Sequence, residues 1–252
     1  MALDDFEWAG APLSSVYTVA AASLTYVVVA VAAKAYFTGG PKVPSDSPST
    51  GLAVHNAILC LASAAMSIGA AVEVYKRYHL ESNLDFFFCE REETVARGAL
   101  FFWAYMYYLS KYYELLDTAL AFICRGSSPK FFAMHVYHHG CVLWMAWAYL
   151  EHRQSLAFGG LIANTATHVV MYAYYARSAL KMKTWWKNWV TTTQIVQFIS
   201  SFVLLAISVS YAVSRPCAGT KALAGNAAFN ASLLYMFFGV LATNTVPRPK
   251  KK

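Results

Sequence analysis

Three histidines stand close together in the sequence HVYHHG, at His135, His138 and His139. Positions i, i+3 and i+4 lie on one face of a helix, so the three imidazoles share a face. Neutral imidazole is the commonest metal ligand, and it also acts as a base or a nucleophile near neutral pH. One histidine in an apolar helix is usually a packed core residue, whereas three on one face indicate a chemical site. Metal binding and nucleophilic or base chemistry are both open on this pattern.

A second group of ionisable residues lies in KYYELLDT, at Lys111, Glu114 and Asp117. In one continuous helix these spacings keep all three within about a third of the circumference. Lys111 and Glu114 can pair at i, i+3. Asp117 is then in excess, which indicates a further partner such as a histidine. The alternative is a structural ion-pair network that only locks helices together.

The segment NTATHVVMYAYY places Asn164, His168, Tyr172 and Tyr175 on one helical stripe. An asparagine one turn from a histidine can fix its tautomer by hydrogen bonding, so we expect Asn164 to bond to His168. The two tyrosines offer hydroxyl groups to the same face. Aromatic packing between helices is the alternative explanation for the tyrosines.

A fourth polar stripe, in TTTQIVQF, carries Gln194 and Gln197. Hydrogen bonding between helices would explain these glutamines without any chemistry. All four stripes lie in apolar stretches, where a charged side chain costs at least ~2.5–3.5 kcal/mol at the bilayer centre. Such side chains persist when they face a cavity, so the stripes together predict a polar chamber.

The composition indicates a membrane protein, because 58% of the residues are hydrophobic and only 13% are charged. Soluble domains carry about 25% charged residues. Seven stretches can each cross a bilayer, which takes about 20 residues. They lie near 15–37, 52–75, 97–123, 131–150, 156–176, 188–213 and 223–244.

These stretches predict an all-α polytopic membrane protein, with one domain over residues 1–252 and seven transmembrane helices around an intramembrane catalytic chamber. The prediction includes a tail at 1–14, a linker at 38–51 and a basic tail, RPKKK, within 245–252. No internal repeat is apparent.

The net charge of +7 comes from 20 Lys and Arg against 13 acids. One side of the predicted topology holds Lys34, Lys42, Arg125, Lys130, Arg177, Lys181, Lys183, Lys187, Arg248, Lys250, Lys251 and Lys252. The other holds Lys76, Arg77, Arg91, Arg97, Arg153, Arg215 and Lys221. The richer side is predicted to be cytosolic, so the C-terminus is cytosolic and the N-terminus lumenal.

The basic loop before the sixth span, with Lys181, Lys183 and Lys187, would form a mouth suited to an anionic, phosphate-bearing substrate. Nucleic acid is excluded as a partner, because the basic residues sit in short loops between apolar runs.

Cys89 and Cys217 fall in the two longer lumenal connections, so we predict a disulfide between them. The bond requires their Cα atoms to lie within ~4.4–6.8 Å. Cys141 follows His138 by three residues on the same face. It is a competing nucleophile, although packing is the favoured explanation.

The four motifs, in this order on successive spans, resemble the ELO family of very-long-chain fatty acid elongases. KYYELLDT is similar to the family's KxxExxDT, HVYHH to its HxxHH, NTATHVVMYAYY to its NxxxHxxMYxYY, and TTTQIVQ to its TxxQxxQ. The text around Lys111, together with Lys130, looks more like the branch that acts on saturated and monounsaturated chains.

The resemblance implies a condensing enzyme that joins acyl-CoA to malonyl-CoA and gives 3-oxoacyl-CoA, carbon dioxide and CoA. It implies that His138 forms an acyl-imidazole, that His168 assists near the condensing carbons, and that Lys111, Glu114, Asp117, Tyr172 and Gln194 orient these groups. An acyl tunnel with a closed end would limit product length.

The family resemblance also implies a setting for the reaction. It implies no metal or redox cofactor and a place in the endoplasmic reticulum membrane, in contact with membrane lipid. Neighbouring ketoreductase, dehydratase and enoyl reductase enzymes and a homodimer are further expectations. The RPKKK tail is then either a retrieval signal or an anchor at an anionic leaflet.

Two rival hypotheses remain. A di-iron desaturase needs about eight histidines in three boxes, whereas this chain has 7 histidines and one box. A seven-span transporter or receptor is the non-enzyme alternative. Transporters often contain broken helices and internal repeats.

Overall fold

The computed structural model describes residues 3–40 and 47–245. The helices in these ranges are α1 (Val16–Phe37), α2 (Thr50–Glu81), α3 (Asp85–Phe88), α4 (Ala99–Glu114), α5 (Leu116–Arg125), α6 (Phe132–Glu151), α7 (Leu156–Ala179), α8 (Lys187–Ser214) and α9 (Thr220–Thr245), after a 3-10 turn at Leu3–Asp5. The predicted all-α class is therefore confirmed for the described residues.

Within the described ranges, five helices are long and apolar enough to cross a membrane. They are α1, α2, α7, α8 and α9. The predicted third and fourth spans are not among them. In the third stretch, α4 has only 16 residues, which is shorter than the about 20 that a bilayer requires. In the fourth stretch, α6 carries the three clustered histidines, which lower its hydropathy.

The third predicted span, 97–123, is wrong as a single helix. The helix is interrupted at Leu115, which separates α4 from α5. The Leu115 N–H bonds to the carbonyl of Tyr112 at 3.2 Å, the tighter pattern of a 3-10 turn. Glu114 is therefore the last residue of α4, while Asp117 lies in the first turn of α5. The single stripe expected for Lys111, Glu114 and Asp117 is divided between two helices.

The second predicted span, 52–75, ends too early, because α2 continues to Glu81. Charged side chains of this last section pair with one another and with the following loop. Lys76 contacts Glu73 at 2.7 Å, and Arg77 contacts both Glu81, at 2.7 Å, and Glu90. The charged residues after position 75, which suggested a loop, thus lie on a helix and form ion pairs there.

The core lies where α4, α6 and α7 meet. α2 packs along α7, α4 packs against α2 and α6, α1 lies on α6, and α8 lies between α7 and α9. α2 approaches α4 closely at Gly69, where an added Cβ would overlap the Trp103 ring. A larger residue at Gly69 would displace this ring or separate the two helices.

The N-terminal segment, treated above as a tail at 1–14, packs into the bundle from residue 3 onward. Phe6 and Trp8 are 3% and 6% exposed and belong to the main core cluster. The Trp8 indole donates to Glu151 at the end of α6 (2.9 Å), and the Trp147 indole donates to the Ser14 carbonyl (2.7 Å). The segment therefore covers one end of α4 and α6.

A disulfide joins Cys89 to Cys217, with Cα atoms 5.0 Å apart. An Arg215–Asp85 contact of 2.8 Å connects the same two segments. The hydrogen bond from Arg215 holds the pKa of Asp85 below its ordinary value. The connections before α4 and after α8 are thus fastened together at one end of the molecule.

Parts of three sequence predictions lie outside the described residues. They are residues 1–2 of the N-terminal tail, residues 41–46 of the linker, including Lys42, and residues 246–252 of the basic tail, including Arg248, Lys250, Lys251 and Lys252.

Candidate active site

A buried ion pair forms one side of the candidate site. Lys111 Nζ lies 2.6 Å from Glu114 Oε1, and both side chains are 1% exposed. Lys111 also lies over the Tyr107 ring, 4.3 Å from its centroid, and donates to Asn164 Oδ1 at 3.3 Å. The pair is therefore enclosed by α4 and α7, away from lipid and water.

His168 lies beside this pair on α7. Its Nδ1 is 3.6 Å from Glu114 Oε1, slightly beyond hydrogen-bonding distance. Asn164, the partner expected for His168, instead accepts from the Tyr107 hydroxyl at 3.1 Å and donates to Gln197 Oε1 at 3.5 Å. That expectation is corrected, because Asn164 is turned toward α4 and α8.

Asp117 lies at a second junction. Its Oδ1 is 2.6 Å from His55 Nε2 on α2, and its Oδ2 accepts from the Tyr172 hydroxyl at 3.0 Å. His139 Nε2 approaches the same Oδ2 to 4.0 Å. Asp117 thus has histidine partners, as its excess charge predicted. The nearest is His55, which lies outside the four motifs.

The three clustered histidines occupy different environments on α6. His135 Nε2 bonds to Thr118 Oγ1 at 2.9 Å, and the His135 and His139 rings lie 4.4 Å apart. The His138 ring stacks on Phe229 of α9, with centroids 6.2 Å apart. His138 therefore faces α8 and α9, while His135 and His139 face α5.

Several buried polar atoms of this region have no hydrogen-bond partner among the described residues. They are Glu114 Oε2 and the Nδ1 atoms of His138, His139 and His168. Buried polar atoms in proteins are almost always bonded, so each exception calls for an explanation. Four such atoms on α4, α6 and α7 mark this region as the candidate site.

A pocket extends from His138 toward the end of the bundle that carries the disulfide. It has about 650 Å³ of atom-free space, including its open mouth. Its lining includes Tyr107, His138, Val142, Met145, Tyr149, Gly159, Gly160, Asn164, Gln197, Leu204, Asn226 and Leu233. Of the predicted site residues, the lining contains His138, Asn164 and Gln197, and it does not contain His168 or Cys141.

Other predicted residues lie farther from the pocket. Tyr175 is 41% exposed, and its ring packs edge-on against Tyr172. Gln194 Nε2 contacts Met171 Sδ at 3.4 Å on the neighbouring helix. Lys181 and Lys183, in the loop before α8, and Lys187, the first residue of α8, are exposed.

Metal binding was open on the histidine pattern alone. In the part of the chain that the structure describes, no group of three or more His, Cys, Asp or Glu side chains is arranged to hold a metal ion. The polar contacts of the histidines described above are with hydroxyl and carboxylate groups.

Known proteins resemble this chain closely. Fatty acid elongase sre1 of Dictyostelium discoideum is 32% identical over 206 residues, which is 80% of this chain and 74% of that protein. A protein named as a fatty acid elongase in Schizosaccharomyces pombe is 31% identical over 210 residues, 79% of this chain and 61% of the relative.

A second Dictyostelium discoideum protein, also named as a fatty acid elongase, is 40% identical over 146 residues. The match covers 58% of this chain and 48% of that relative, so the chain matches about half of the relative's length.

The ELO family model, described as the GNS1/SUR4 family, matches residues 11–252. The match includes all four polar motifs and the helices that carry them. Because it covers nearly the whole chain, this protein belongs to the ELO (GNS1/SUR4) family.

Proposed function

We propose that this protein is the condensing enzyme of fatty acid elongation, a 3-oxoacyl-CoA synthase that joins a long-chain acyl-CoA to malonyl-CoA. The observation that carries the proposal is His138, a half-buried side chain that lines a pocket and whose buried Nδ1 has no hydrogen-bond partner among the described residues. Relatives that are named as fatty acid elongases support a role in fatty acid elongation.

In the first step, an imidazole nitrogen of His138 attacks the thioester carbonyl. The N–C bond forms, the C–S bond breaks, and CoA leaves with a proton from the imidazole. An acyl-imidazole is a reactive acyl donor, and splitting the reaction in two makes each step easier. The pocket beside His138 holds the acyl chain. Cys141 is the weaker candidate nucleophile, since it does not line this pocket.

In the second step, malonyl-CoA loses carbon dioxide, and its enolate carbon attacks the acyl carbon. The new C–C bond forms while the C–N bond to His138 breaks, which returns neutral imidazole once a proton is taken up. The enolate oxygen requires hydrogen-bond donors held ready for it. His168 and Lys111 are the nearby donors, and Glu114, Asp117, Tyr172 and Asn164 orient them.

Exclusion of water is the second requirement, because water would hydrolyse the acyl-enzyme. His138 stacks on Phe229, and apolar residues such as Val142, Met145 and Leu204 line the pocket. In this proposal a closed far end of the acyl tunnel limits product length. Gln194 and Gln197 brace α8 against α7, where Gln194 contacts Met171 and Gln197 bonds to Asn164.

We also propose that seven segments cross the membrane. α5 ends beside the start of α2, where the Cys124 side chain lies next to Gly51. α6 begins beside α1, where Lys34 lies over the Phe132 ring, and ends at Glu151 beside the N-terminal segment. α4 with α5, and α6, therefore run between opposite ends of the bundle, although α4 and α5 are each too short to span a membrane alone and α6 carries three histidines.

The proposed orientation has the disulfide end in the lumen of the endoplasmic reticulum, an oxidising compartment. The loop with Lys181 and Lys183, together with Lys187 at the start of α8, then lies in the cytosol, where exposed ammonium groups attract the CoA phosphates. No metal or redox cofactor is needed for this chemistry. Membrane lipid, other enzymes of the elongation cycle and a second copy of the chain are the proposed partners, and nucleic acid is not.

Purified protein incubated with palmitoyl-CoA and labelled malonyl-CoA is expected to give labelled 3-oxoacyl-CoA and release carbon dioxide and CoA in equal amounts. Chromatography of a reaction with a panel of acyl-CoA primers measures both activity and chain preference. Stoichiometric iron in active protein would favour the desaturase hypothesis. Movement of substrate across vesicles without any chemistry would favour a transporter.

A further inference from the structure

His55 is a buried histidine that lies outside all four motifs. It is 5% exposed on α2, and its Nε2 lies 2.6 Å from Asp117 Oδ1. Its ring packs against Tyr113, with centroids 5.1 Å apart. The next residue, Asn56, donates to the Leu52 carbonyl of its own helix. Of these two neighbouring polar residues, only His55 thus reaches the site.

Asp117, the partner of His55, contacts both helices that carry the other histidines. One oxygen accepts from Tyr172 on α7 and lies 4.0 Å from His139 Nε2 on α6. The Tyr172 ring is edge-on to His168, with centroids 5.3 Å apart, and the His139 ring lies 5.3 Å from that of His138. A displacement of Asp117 would therefore change the positions of both His168, through Tyr172, and His138, through His139.

In the described part of the chain, the site contains two carboxylates, Glu114 and Asp117, but only one lysine, so Asp117 requires another hydrogen-bond donor. Lys111 is bound to Glu114, whereas the ion-pair partners of Asp117 among the described side chains are His55 and His139. Of these two, His55 is within hydrogen-bonding distance. A carboxylate in a poorly solvated position is costly unless it is paired or hydrogen-bonded.

We infer that His55 is a positioning residue of the active site, which donates an Nε2–H hydrogen bond to Asp117 and holds that carboxylate between Tyr172 and His139. This inference rests on the proposed function. Both the imidazolium and the neutral tautomer protonated at Nε2 supply the donor. His55 does not line the pocket. It therefore acts through Asp117 and not on the acyl chain.

The first test compares His55→Ala with His55→Gln in the condensation assay. Loss of a hydrogen bond to a charged group is expected to lower kcat about 10- to 100-fold in His55→Ala. KM for acyl-CoA is expected to stay within about twofold, because ground-state binding is untouched. Glutamine places an amide donor near the position of Nε2, so His55→Gln is expected to recover most of kcat.

The second test is a double-mutant cycle with Asp117→Ala. If His55 acts only through Asp117, adding His55→Ala to Asp117→Ala lowers kcat by less than about twofold further. Asn56→Ala, one residue along α2, is the matched control. Asn56→Ala is expected to lower kcat less than His55→Ala does, and by the same factor in the wild-type and Asp117→Ala backgrounds.

Two results would overturn the inference while leaving the proposed function standing. One is an active wild type in which the losses from His55→Ala and Asp117→Ala multiply. The other is a His55→Gln variant as inactive as His55→Ala although both keep the wild-type thermal midpoint. A wild type that forms no 3-oxoacyl-CoA would instead refute the proposed function, and this inference with it.

Discussion

The His138→Ala variant is expected to lower the rate of condensation by at least about 10³-fold, because the substitution removes a covalent nucleophile. His138 is the histidine that lines the pocket, and its Nδ1 has no partner among the described residues. Its removal therefore deletes the proposed acyl acceptor without breaking a hydrogen bond at that atom. The measurement is labelled malonyl-CoA incorporation by purified protein with an unchanged thermal midpoint.

Intact mass analysis gives a more direct view of the same histidine. Wild-type protein incubated with acyl-CoA alone is expected to gain one acyl group, and His138→Ala is expected to gain none. His79→Ala is the matched control, because His79 is exposed near the end of α2, and it should behave like wild type. An adduct on Cys141, or full activity in His138→Ala, would remove His138 as the nucleophile.

The Lys111→Met variant is expected to lose about 3–5 kcal/mol of stability, because it leaves the Glu114 carboxylate buried without its cation. Lys111 and Glu114 are each 1% exposed and only 2.6 Å apart, so water cannot replace the missing partner. A loss of this size lowers the Tm by roughly 10 °C in a protein of this length. Thermal unfolding of the detergent-solubilised protein measures the change.

The matched control is Lys76→Met, which breaks a pair of the same i, i+3 spacing on α2 with Lys76 61% exposed. Exposed pairs contribute only about 0–1 kcal/mol, so its Tm should barely change. The double variant Lys111→Met with Glu114→Gln is expected to recover at least half of the lost stability, since no buried charge then remains. Equal Tm values for Lys111→Met and Lys76→Met would contradict this account of the buried pair.

The helices were well predicted where apolar residues run without interruption. The first stretch was placed at 15–37, and α1 spans Val16–Phe37. The break at Leu115 was missed, because no proline or glycine marks it and the apolar pattern continues across it. The end of α2 was missed because its charges resemble those of a loop until their partners in three dimensions are known.

The site was predictable within each helix but not between helices. Spacings of three and four residues identify side chains that share a face, which is why the motif residues were found. The partner across the gap depends on how each helix is rotated and tilted, and sequence spacing carries no such information. This is why Asn164 was assigned to His168, although it bonds to Tyr107, and why His55 was missed.

The bond between Cys89 and Cys217 closes a loop whose ends are 128 residues apart. Residues 111–197, which hold all four motifs, lie inside this loop, whereas α1, α2 and α9 lie outside it. A single backbone cut in the exposed stretch between α7 and α8 would therefore leave one covalently connected molecule. Its two pieces would separate on a denaturing gel only after a thiol reductant opens the loop.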